Sequence, residues 1–563
     1  MTAIDATAVP ERGPGPELSR PIVHWLVLAG IVAGGAFLRL VDINDQGLWG
    51  DEALTIPLAH WPAWEMLMLP TDPTPPLYYL LHKILLTADA SAGMVRSIAF
   101  VCGLASIGLM YLLGRLALGA RAGLLAAAML AAWPQHIDYS QEARAYALLF
   151  LLTLASATSL LWWWRLSSSP EPGSDRRRML ALLLFSLTTA LSFYAHLVSV
   201  FWILLALDIF RTLSQTSVPP RPRETALALG LMAALAVPGL IRFYRQFTSP
   251  TNFNWLQQAS PADFASSTLQ MLLPLRSPAG TLFQESWAVW PAVIALAALG
   301  LWLLLKVRAG AFARRDRAVV YVTLAFLALP LLVWLAGYVI RPIFMERTIL
   351  FAIPGAILAL LAALRAVRNP ALHTTAGICA VLALLGSTLA QGTMRPKEDW
   401  RGVYAFLKRQ VRPGDTILFC AWQYPSLRHA ADRPLPAPVV NWYGGLPILV
   451  EERLGGRADW DQLFYRSHVR PVALRTEDLP FGERSANLRP GNTLWLVESE
   501  CSPEARSAMI SWLPAGTRWR LAWTSPPGPA ATIRVTQSPV GAPAVVKLLA
   551  PPEMQSPSAH SSR

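Results

Sequence analysis

Long apolar segments recur along most of the chain, and they restrict it to folds that cross a membrane several times. A helix needs about 20 apolar residues to span the hydrocarbon core, where only a helix or a closed barrel satisfies every backbone hydrogen bond. We therefore expect a polytopic α-helical membrane protein with about 11 spans. The predicted spans are 22–41, 94–116, 122–137, 144–165, 179–194, 196–213, 224–241, 287–306, 318–340, 347–365 and 372–391.

The composition argues against a soluble protein and against a nucleic-acid-binding protein. Only 15% of the 563 residues are charged and 54% are hydrophobic, whereas a soluble chain of this length carries far more charge. The net charge of +13 would suit nucleic acid, but the basic residues lie in short loops between apolar segments. The positive-inside rule explains that distribution.

The basic loops also predict the orientation. Five of them fall on one side of the predicted spans, which makes that side cytoplasmic. They contain Arg115 and Arg121, Arg165 with Arg176 to Arg178, Arg211 with Arg221 and Arg223, Lys306 to Arg317, and Arg365 with Arg368. Residues 1–21 lack the features of a signal peptide and are expected to be a cytoplasmic tail. We expect a multi-pass protein of the inner (cytoplasmic) membrane.

A transmembrane domain is predicted over 22–394, with two long outer loops at 42–93 and 242–286. Residues 395–550 are polar and predict a small extracytoplasmic α/β domain, followed by a disordered tail over 551–563. Short interfacial helices are expected at His60–Leu69 and Pro75–Leu86. The outer domain is expected to contain a helix over Asp399–Val411 and strands at Thr416–Cys420, Thr493–Val497, Arg518–Trp523 and Thr532–Thr536. Whether Cys420 and Cys501 form a disulfide is left open.

An adjacent carboxylate pair follows the first predicted span. Asp51 and Glu52 come after a short run with two turn glycines, Gly47 and Gly50, which places both acids at the outer membrane surface. One interpretation is a solvated loop in which Asp51 caps the next helix. The other is a catalytic pair, because a carboxylate partly removed from water is well suited to accept a proton. The residues alone do not choose between these interpretations.

A second cluster lies where the third and fourth spans meet the outer surface. Glu142 and Arg144 could simply neutralise each other there, or Arg144 could bind a phosphate while Glu142 orients it or binds a metal ion. His196, at the outer end of the fifth and sixth spans, is either a packing residue or part of a site. Asp51, Glu142 and His196 are the candidates for a divalent metal ion, and no cysteine–histidine spacing resembles a zinc site.

Several basic residues are predicted on the outer side of the membrane, where the positive-inside rule makes them uncommon. They are Lys83, Arg242, Arg245, Arg276, Arg341 and Arg347. Interfacial snorkelling explains any one of them, but together they favour a phosphate-bearing ligand, because guanidinium groups match phosphate geometry. Aromatic residues of the first outer loop, including Tyr78, could line a sugar groove, although interfacial anchoring explains most of them.

Two absences in the sequence narrow the function further. No glycine-rich phosphate loop or dinucleotide motif is present, so a nucleotide is not an expected ligand. No acidic residue lies at the centre of a predicted span, where ion-coupled carriers normally need one. The clustering of charge at the outer interface favours chemistry at the membrane surface.

Five runs of residues occur in a fixed order over about 1–391. They are Arg39-Leu with Gly47-Leu-Trp49-Gly-Asp51-Glu52, Asp72-Pro-Thr-Pro-Pro-Leu-Tyr78-Tyr79, Tyr139-Ser-Gln-Glu142-Ala-Arg144-Ala-Tyr146, Tyr194-Ala-His196, and Arg341-Pro with Glu346-Arg347. This series resembles the GT-C class of integral-membrane glycosyltransferases, in the bacterial branch related to protein O-mannosyltransferases and the aminoarabinose transferase of lipid A. One departure is Thr348, where relatives often have tyrosine.

The resemblance implies transfer of a sugar from a polyprenyl-phosphate donor to a lipid, glycan or protein acceptor of the cell envelope, on the extracytoplasmic face. Asp51 matches the family's catalytic carboxylate, a general base that activates the acceptor hydroxyl for inversion at the anomeric carbon, and Glu52 is its neighbour in the catalytic pair. Some members also hold a divalent metal ion near this acid. The residues expected to bind the donor phosphate are Arg144 and Arg347, then Arg242, Arg245 and Arg341. Those expected to orient them or to lie in the site are Glu52, Glu142, His196, Tyr146, Tyr78 and Lys83.

The sequence does not exclude two other functions. A transporter of lipid-linked saccharide precursors would be favoured by charge in the middle of spans. An inactive scaffold for envelope assembly would not need the Asp51-Glu52 pair.

Overall fold

The computed structural model describes residues 21–60, 62–68, 74–85, 91–168, 174–216, 221–247, 257–274, 314–366, 369–391 and 397–420, together with parts of 276–305 and of 427–550. The described chain contains a helical unit and, from residue 397, a unit built on a β-sheet, which we call the C-terminal domain.

The helical unit contains sixteen described α-helices and two short 3₁₀ turns. The helices are α1 (Pro21–Leu40), α2 (Gly50–Ala53), α3 (Thr55–His60), α4 (Ala63–Met68), α5 (Leu77–Leu85), α6 (Ala92–Leu118), α7 (Ala120–Ala131), α8 (Pro134–Ser140), α9 (Tyr146–Ser168), α10 (Asp175–Ala195), α11 (Ser199–Thr216), α12 (Pro222–Phe247), α13 (Pro261–Leu272), α14 (Arg314–Val339), α15 (Ile353–Ala366) and α16 (Pro370–Gln391). The 3₁₀ turns are Glu346–Thr348 and Leu350–Ala352, and a two-residue ladder pairs β1 (Arg276–Ser277) with β2 (Gly280–Thr281).

The protein is a polytopic membrane protein, as the apolar pattern predicts. Within the described residues, seven helices are long and apolar enough to cross a membrane: α1, α6, α9, α10, α12, α14 and α16. The segments predicted at 122–137, 196–213 and 347–365 are also helical but shorter or less apolar, and the span predicted at 287–306 lies outside the described helices. The third span is divided, because α7 ends at Ala131 and a new helix begins at Pro134, which occupies a first-turn position.

Helix α9 forms the centre of the bundle. It is buried along most of its length, whereas α1, α12 and α16 are largely exposed on the surface that would face lipid. Polar contacts connect α9 to its neighbours: the hydroxyls of Ser156 and Thr189 lie 2.7 Å apart, and the Trp202 indole donates to Ser156 Oγ at 3.1 Å. Trp202 also stacks on Phe326 of α14, with ring centroids 4.5 Å apart. Such close packing and interhelical hydrogen bonds hold helices together where water is absent.

The C-terminal domain has one mixed sheet of eight strands in the order β6-β10-β5-β4-β3-β7-β9-β8. Strand β3 is parallel to both β4 and β7, and β10 is parallel to β5, while the other neighbours are antiparallel. The elements are α17 (Trp400–Gln410), β3 (Thr416–Cys420), β4 (Val439–Tyr443), β5 (Leu446–Glu451), β6 (Gly482–Leu488), β7 (Thr493–Glu498), α18 (Pro503–Ser511), β8 (Arg520–Thr524), β9 (Arg534–Pro539) and β10 (Ala544–Ala550). The predicted helix and four strands are all present, with boundaries shifted by up to a few residues.

A disulfide joins Cys420, the last residue of β3, to Cys501 just before α18, with a Cα–Cα distance of 5.6 Å. It therefore links the ends of two adjacent parallel strands, because Cys420 pairs in register with Glu498 of β7. The sequence left this pairing open, and the structure forms it.

Candidate active site

The loop after α1 is held in a fixed shape. The chain reverses at Asp42, whose φ of 60° is in the left-handed region that aspartate tolerates better than most residues. Arg96 of α6 then forms hydrogen bonds to the backbone of the turn 42–47. Its Nη1 donates to the carbonyl oxygens of Ile43 (2.7 Å) and Gln46 (3.1 Å), and its Nη2 donates to that of Gly47 (3.0 Å). These bonds set the position from which α2 begins.

Glu52 is buried next to this loop, and its side chain is 0% exposed. Arg96 binds both of its oxygens, Nε to Oε1 at 2.9 Å and Nη2 to Oε2 at 2.7 Å, and the backbone N–H of Ala143 donates to Oε1 at 3.0 Å. The ammonium of Lys397 lies 2.9 Å from Oε1. Burial by itself raises the pKa of Glu52, but the charges and hydrogen bonds of Lys397 and Arg96 outweigh it and lower the pKa to about 2. Glu52 is thus an ionised, fully satisfied carboxylate inside the protein.

Asp51, one residue earlier, has a different environment. Its side chain is 18% exposed and accepts a hydrogen bond from Arg347 Nη1 at 3.3 Å on Oδ2. Arg144 approaches the same oxygen with Nε at 4.0 Å and donates from Nη1 to the Asp51 carbonyl at 3.4 Å. Asp51 is therefore the accessible member of the pair, and two guanidinium groups flank it.

Arg144 is held rigidly by neutral partners as well as by Asp51. Its Nη1 donates to the Tyr79 hydroxyl at 2.9 Å, and its Nη2 donates to Thr74 Oγ1 at 2.8 Å. The Thr74 carbonyl in turn accepts a hydrogen bond from Arg242 Nη2 at 3.5 Å. Thr74 thus accepts hydrogen bonds from both Arg144 and Arg242, so three arginines lie at or near Asp51.

Arg347 comes from the 3₁₀ turn before α15 and lies over the Tyr146 ring, 5.8 Å from its centroid. Thr348, which departs from the family pattern, stabilises this turn: its hydroxyl accepts from the Met345 N–H at 2.9 Å and donates to the Ile343 carbonyl at 3.0 Å. Thr348 therefore stabilises the turn that presents Arg347.

Glu142 is buried close to these charges. Among the described residues its Oε1 has no hydrogen-bond partner. Burial raises the pKa of Glu142 above its usual value, and among the neighbouring charges Lys397 opposes this most strongly. Glu142 is thus the one carboxyl of the described site whose protonation is not fixed by a direct ion pair.

Of the predicted aromatic and histidine residues, Tyr146 and His196 contact each other beside Arg347. Tyr146 packs against Tyr139 and against His196, with centroids 5.5 and 5.6 Å apart. His196 caps the end of α10, and its Nδ1 accepts the N–H of Val198 at 3.3 Å, so its Nε2 carries the proton. Tyr78 is fully buried behind them, 4.6 Å from the His82 ring, and packs in the core.

Four of the predicted basic residues are not shown in contact with Asp51. Lys83 is exposed, with its ammonium 3.5 Å from the His60 carbonyl oxygen. Arg341 is half-buried in the segment that precedes the 3₁₀ turn, and Arg347 is the residue of this motif that binds Asp51. The side chain of Arg245 lies outside the described residues, as does that of Arg276.

No three metal-ligating side chains come together in the described part of the chain. Of the three candidates, Asp51 and Glu142 lie in the same cluster of charged residues, whereas His196 packs against the Tyr146 ring. The described residues therefore do not form a complete set of protein ligands for a divalent ion.

Two residues that sequence reasoning did not select are central to the site. Arg96 lies in the first turns of an apolar helix. A cation at that position needs an anionic partner, so the sequence did contain a signal for a buried ion pair there. Lys397 had no such signal, since its partner Gln46 is 351 positions away and nothing in the local sequence indicates the contact.

Neither a protein-family model nor a curated protein sequence matches the chain. Solved structures do match it. The crystal structure of ArnT from Cupriavidus metallidurans in the apo state aligns with 12% identity and a TM-score of 0.51, over 92% of this chain and 98% of that chain. The same protein bound to undecaprenyl phosphate aligns with 14% identity and a TM-score of 0.48, over 91% and 98%. The oligosaccharyltransferase AglB from Archaeoglobus fulgidus, in complex with an inhibitory peptide and a dolichol-phosphate, aligns with 15% identity and a TM-score of 0.42, over 73% and 64%. The match to apo ArnT establishes a shared fold.

Proposed function

We propose that this chain, which has the GT-C fold, is a membrane glycosyltransferase that moves a sugar from a polyprenyl-phosphate donor to a lipid, glycan or protein acceptor of the cell envelope. One observation carries the proposal: Asp51, a partly exposed carboxylate, lies against the guanidinium groups of Arg347 and Arg144 at 3.3 and 4.0 Å. A base beside two cations is what transfer from a lipid phosphate requires.

The reaction follows from these groups. The Asp51 carboxylate accepts the proton of the acceptor hydroxyl, whose oxygen forms a bond to the anomeric carbon of the sugar. The bond between that carbon and the phosphate oxygen breaks on the opposite face, and the polyprenyl phosphate leaves with the electron pair. The configuration at the anomeric carbon is therefore inverted.

The arginines supply the stabilisation that the leaving group needs. A phosphate that departs already carries negative charge, so fixed cations replace a general acid. Arg347 and Arg144 are within reach of Asp51, and Thr74 holds Arg242 beside Arg144. On donor binding the phosphate takes over part of the contact that Arg347 now makes with Asp51, which frees the carboxylate to act as a base.

Glu52 has a positioning role in this scheme. Its oxygens are occupied by Arg96, by the Ala143 N–H and by Lys397, and its pKa of about 2 leaves it too weak a base to accept a proton at neutral pH. It fixes the direction of α2 and with it the place of Asp51.

The proposed site faces the extracytoplasmic side. Asp51 follows α1, whose N-terminal end continues the tail expected in the cytoplasm, and the positive-inside rule assigns the five basic loops of the sequence to the cytoplasmic side. The disulfide Cys420–Cys501 supports this orientation for the C-terminal domain, because disulfides persist in oxidising compartments.

The orientation can be tested by thiol alkylation. In protein denatured without a reductant, we expect a maleimide reagent to modify Cys102 and Cys379, which are free, and to modify Cys420 and Cys501 only after reduction. The double variant Cys420→Ser/Cys501→Ser is the control, since its labelling should not depend on reduction. Modification of Cys420 and Cys501 before reduction would contradict an extracytoplasmic C-terminal domain.

The activity is tested with the full chain in proteoliposomes that contain polyprenyl-phosphate sugars of several kinds and an extract of envelope lipids and glycans. We expect inverted product and free polyprenyl phosphate in equal amounts. Passage of intact lipid-linked sugar across the bilayer without transfer would instead favour the transporter.

Within the same assay, Arg347→Gln should slow transfer about tenfold to a hundredfold. This is the effect expected when one charge-assisted hydrogen bond to phosphate is lost. The effect should appear in kcat, because the phosphate carries more charge in the transition state than in the bound donor. Arg365→Gln, at the opposite end of the following helix, is the matched control and should leave the rate unchanged. An Arg347→Gln enzyme as fast as the wild type would remove Arg347 from the phosphate site.

A further inference from the structure

The hydroxyl group of Tyr194, a residue of α10, lies within the backbone hydrogen-bond ladder of α12. It donates to the Leu235 carbonyl at 2.5 Å and accepts the Gly239 N–H at 2.9 Å. These two backbone groups are four residues apart, so in a regular α-helix they would pair with each other. A side chain that enters the ladder at such a point is a known cause of a bend in a helix.

The sequence of α12 favours a bend at the same place. Pro238 has no N–H to donate to the Ala234 carbonyl, and its ring crowds that group. Gly239 permits the close approach of α10, because a Cβ atom there would lie 2.8 Å from Phe193 Cδ1 and 3.1 Å from Tyr194 Cζ. Proline weakens the ladder, glycine makes room, and the Tyr194 hydroxyl gives two of the backbone groups their hydrogen bonds.

The bend precedes Arg242, a residue of the proposed phosphate site, by about one turn. Arg242 is 3% exposed, and its Nη2 donates to the Thr74 carbonyl at 3.5 Å. The hydroxyl of Thr74 accepts from Arg144, which in turn approaches Asp51. The direction that α12 takes after the bend therefore decides whether the Arg242 guanidinium reaches Thr74 and the other arginines of the site.

We propose that Tyr194 is a positioning residue of the active site: its hydroxyl group holds the bend of α12 that places Arg242 at the donor phosphate. This inference rests on the proposed function, because the donor phosphate is the ligand that Arg242 would bind. Tyr194 acts on that phosphate only through the backbone of α12. Without the hydroxyl, the Gly239 N–H can pair with the Leu235 carbonyl, which straightens the helix and moves Arg242 away from Thr74.

The kinetic test uses the full chain in proteoliposomes with polyprenyl-phosphate sugars. It compares the wild type with Tyr194→Phe, Arg242→Gln and the double variant Tyr194→Phe/Arg242→Gln. We expect Tyr194→Phe to lower kcat/KM about threefold to tenfold, which is part of the loss expected when Arg242 can no longer donate to the phosphate. The double variant should be no slower than Arg242→Gln, because residues that act through one contact are not additive.

The chain offers matched controls for these variants. Gly239→Ala should displace the two aromatic rings of α10 and lower kcat/KM as Tyr194→Phe does. Gly230→Ala, in the same helix, should leave kcat/KM unchanged, because a Cβ atom there meets nothing within 4 Å. Tyr321→Phe removes the hydroxyl of a half-buried tyrosine in α14 and should also match the wild type.

A distance measurement does not depend on activity. Spin labels at Ile84→Cys in α5 and at Tyr244→Cys, beyond the bend of α12, are placed on exposed positions in a protein without its two free cysteines. Five residues separate Gly239 from Tyr244, so a change of about 20° in the bend moves the second label by roughly 3 Å. We expect a shift of this size in Tyr194→Phe and in Gly239→Ala, and none in Gly230→Ala.

The outcomes separate the two proposals. A shifted label distance in Tyr194→Phe, in a protein that transfers no sugar from any donor, would reject the proposed function and support Tyr194 as the residue that holds the bend. Transfer by the wild type with the label distance unchanged in Tyr194→Phe and Gly239→Ala would overturn the inference. Effects of Tyr194→Phe and Arg242→Gln that multiply in the double variant would also overturn it, because Tyr194 would then not act through Arg242.

Discussion

Replacement of Asp51 by asparagine is expected to slow sugar transfer between about a hundredfold and ten-thousandfold, the range over which a positioned general base contributes. The change keeps the shape of the side chain and its contact with Arg347, since an amide oxygen still accepts the 3.3 Å hydrogen bond. It removes the basicity that accepts the acceptor's proton. The loss should therefore appear in kcat, measured with saturating donor in proteoliposomes, while donor affinity changes little.

The matched control is Asp45→Asn, six positions earlier in the same loop. Asp45 has an exposed side chain, and its described contacts with Asp42 and Arg401 use only its backbone. We expect this variant to retain the wild-type rate. Equal activity of Asp51→Asn and the wild type would exclude Asp51 as the base and direct attention to Glu142, the carboxyl group of the described site for which no direct ion pair is formed.

The second large effect is expected for Arg96→Met, and it concerns stability. Removing one partner of a buried ion pair typically costs about 3–5 kcal/mol. In Arg96→Met the ammonium of Lys397 would still lie against Glu52, so we expect the lower end of this range. Here Glu52 would lose two hydrogen bonds, and the turn 42–47 would lose the three that Arg96 donates to its carbonyl groups. The thermal unfolding midpoint of the detergent-solubilised protein should fall markedly, and transfer should fall with it even below that midpoint.

Arg115→Met is the control for Arg96→Met, because Arg115 is an exposed arginine at the opposite end of the same helix. The double variant Arg96→Met/Glu52→Gln leaves no carboxylate unpaired, but it also removes the 2.9 Å contact of Lys397 with Glu52. It should therefore recover only part of the stability. If the double variant is as unstable as the sum of the single changes, the two residues do not act as a pair.

The low pKa of Glu52 adds a pH signature to the same measurement. Its folded-state pKa is about 2, below the ordinary value of 4.5. Its contribution to stability is therefore present above about pH 4.5 and is lost as the pH falls toward 2. In Arg96→Met the folded pKa rises toward the ordinary value, so this contribution should become smaller and its acid dependence weaker.

The membrane architecture was predictable because each span is a local property of the chain. Apolar segments of sufficient length are recognisable one by one, and so were the strand at Thr416–Cys420 and the helix that begins at Trp400. The break in the third span was not predicted, because its apolar pattern continues across Pro134 and only the proline indicates the new helix.

The active-site residues were predictable as a set, but their contacts were not. Asp51, Arg144 and Arg347 were all expected at the outer surface, and the structure brings them together. The last motif contains Arg341 and Arg347. The one that binds Asp51 is selected by a 3₁₀ turn, which the composition of the segment does not reveal. Arg96 and Lys397 depend on contacts between distant segments, so a single sequence gives little basis for finding the Lys397 contact at all.

The three hydrogen bonds from Arg96 to the turn 42–47 have a consequence for exchanging segments between related proteins. An inserted or deleted residue between α1 and α2 would change which carbonyl groups meet the guanidinium, and would move both acids relative to Arg96. The loop length is therefore as constrained as its residues. A chimera should exchange the chain from α1 to α6 as one block, together with residues 397–401 that dock on it.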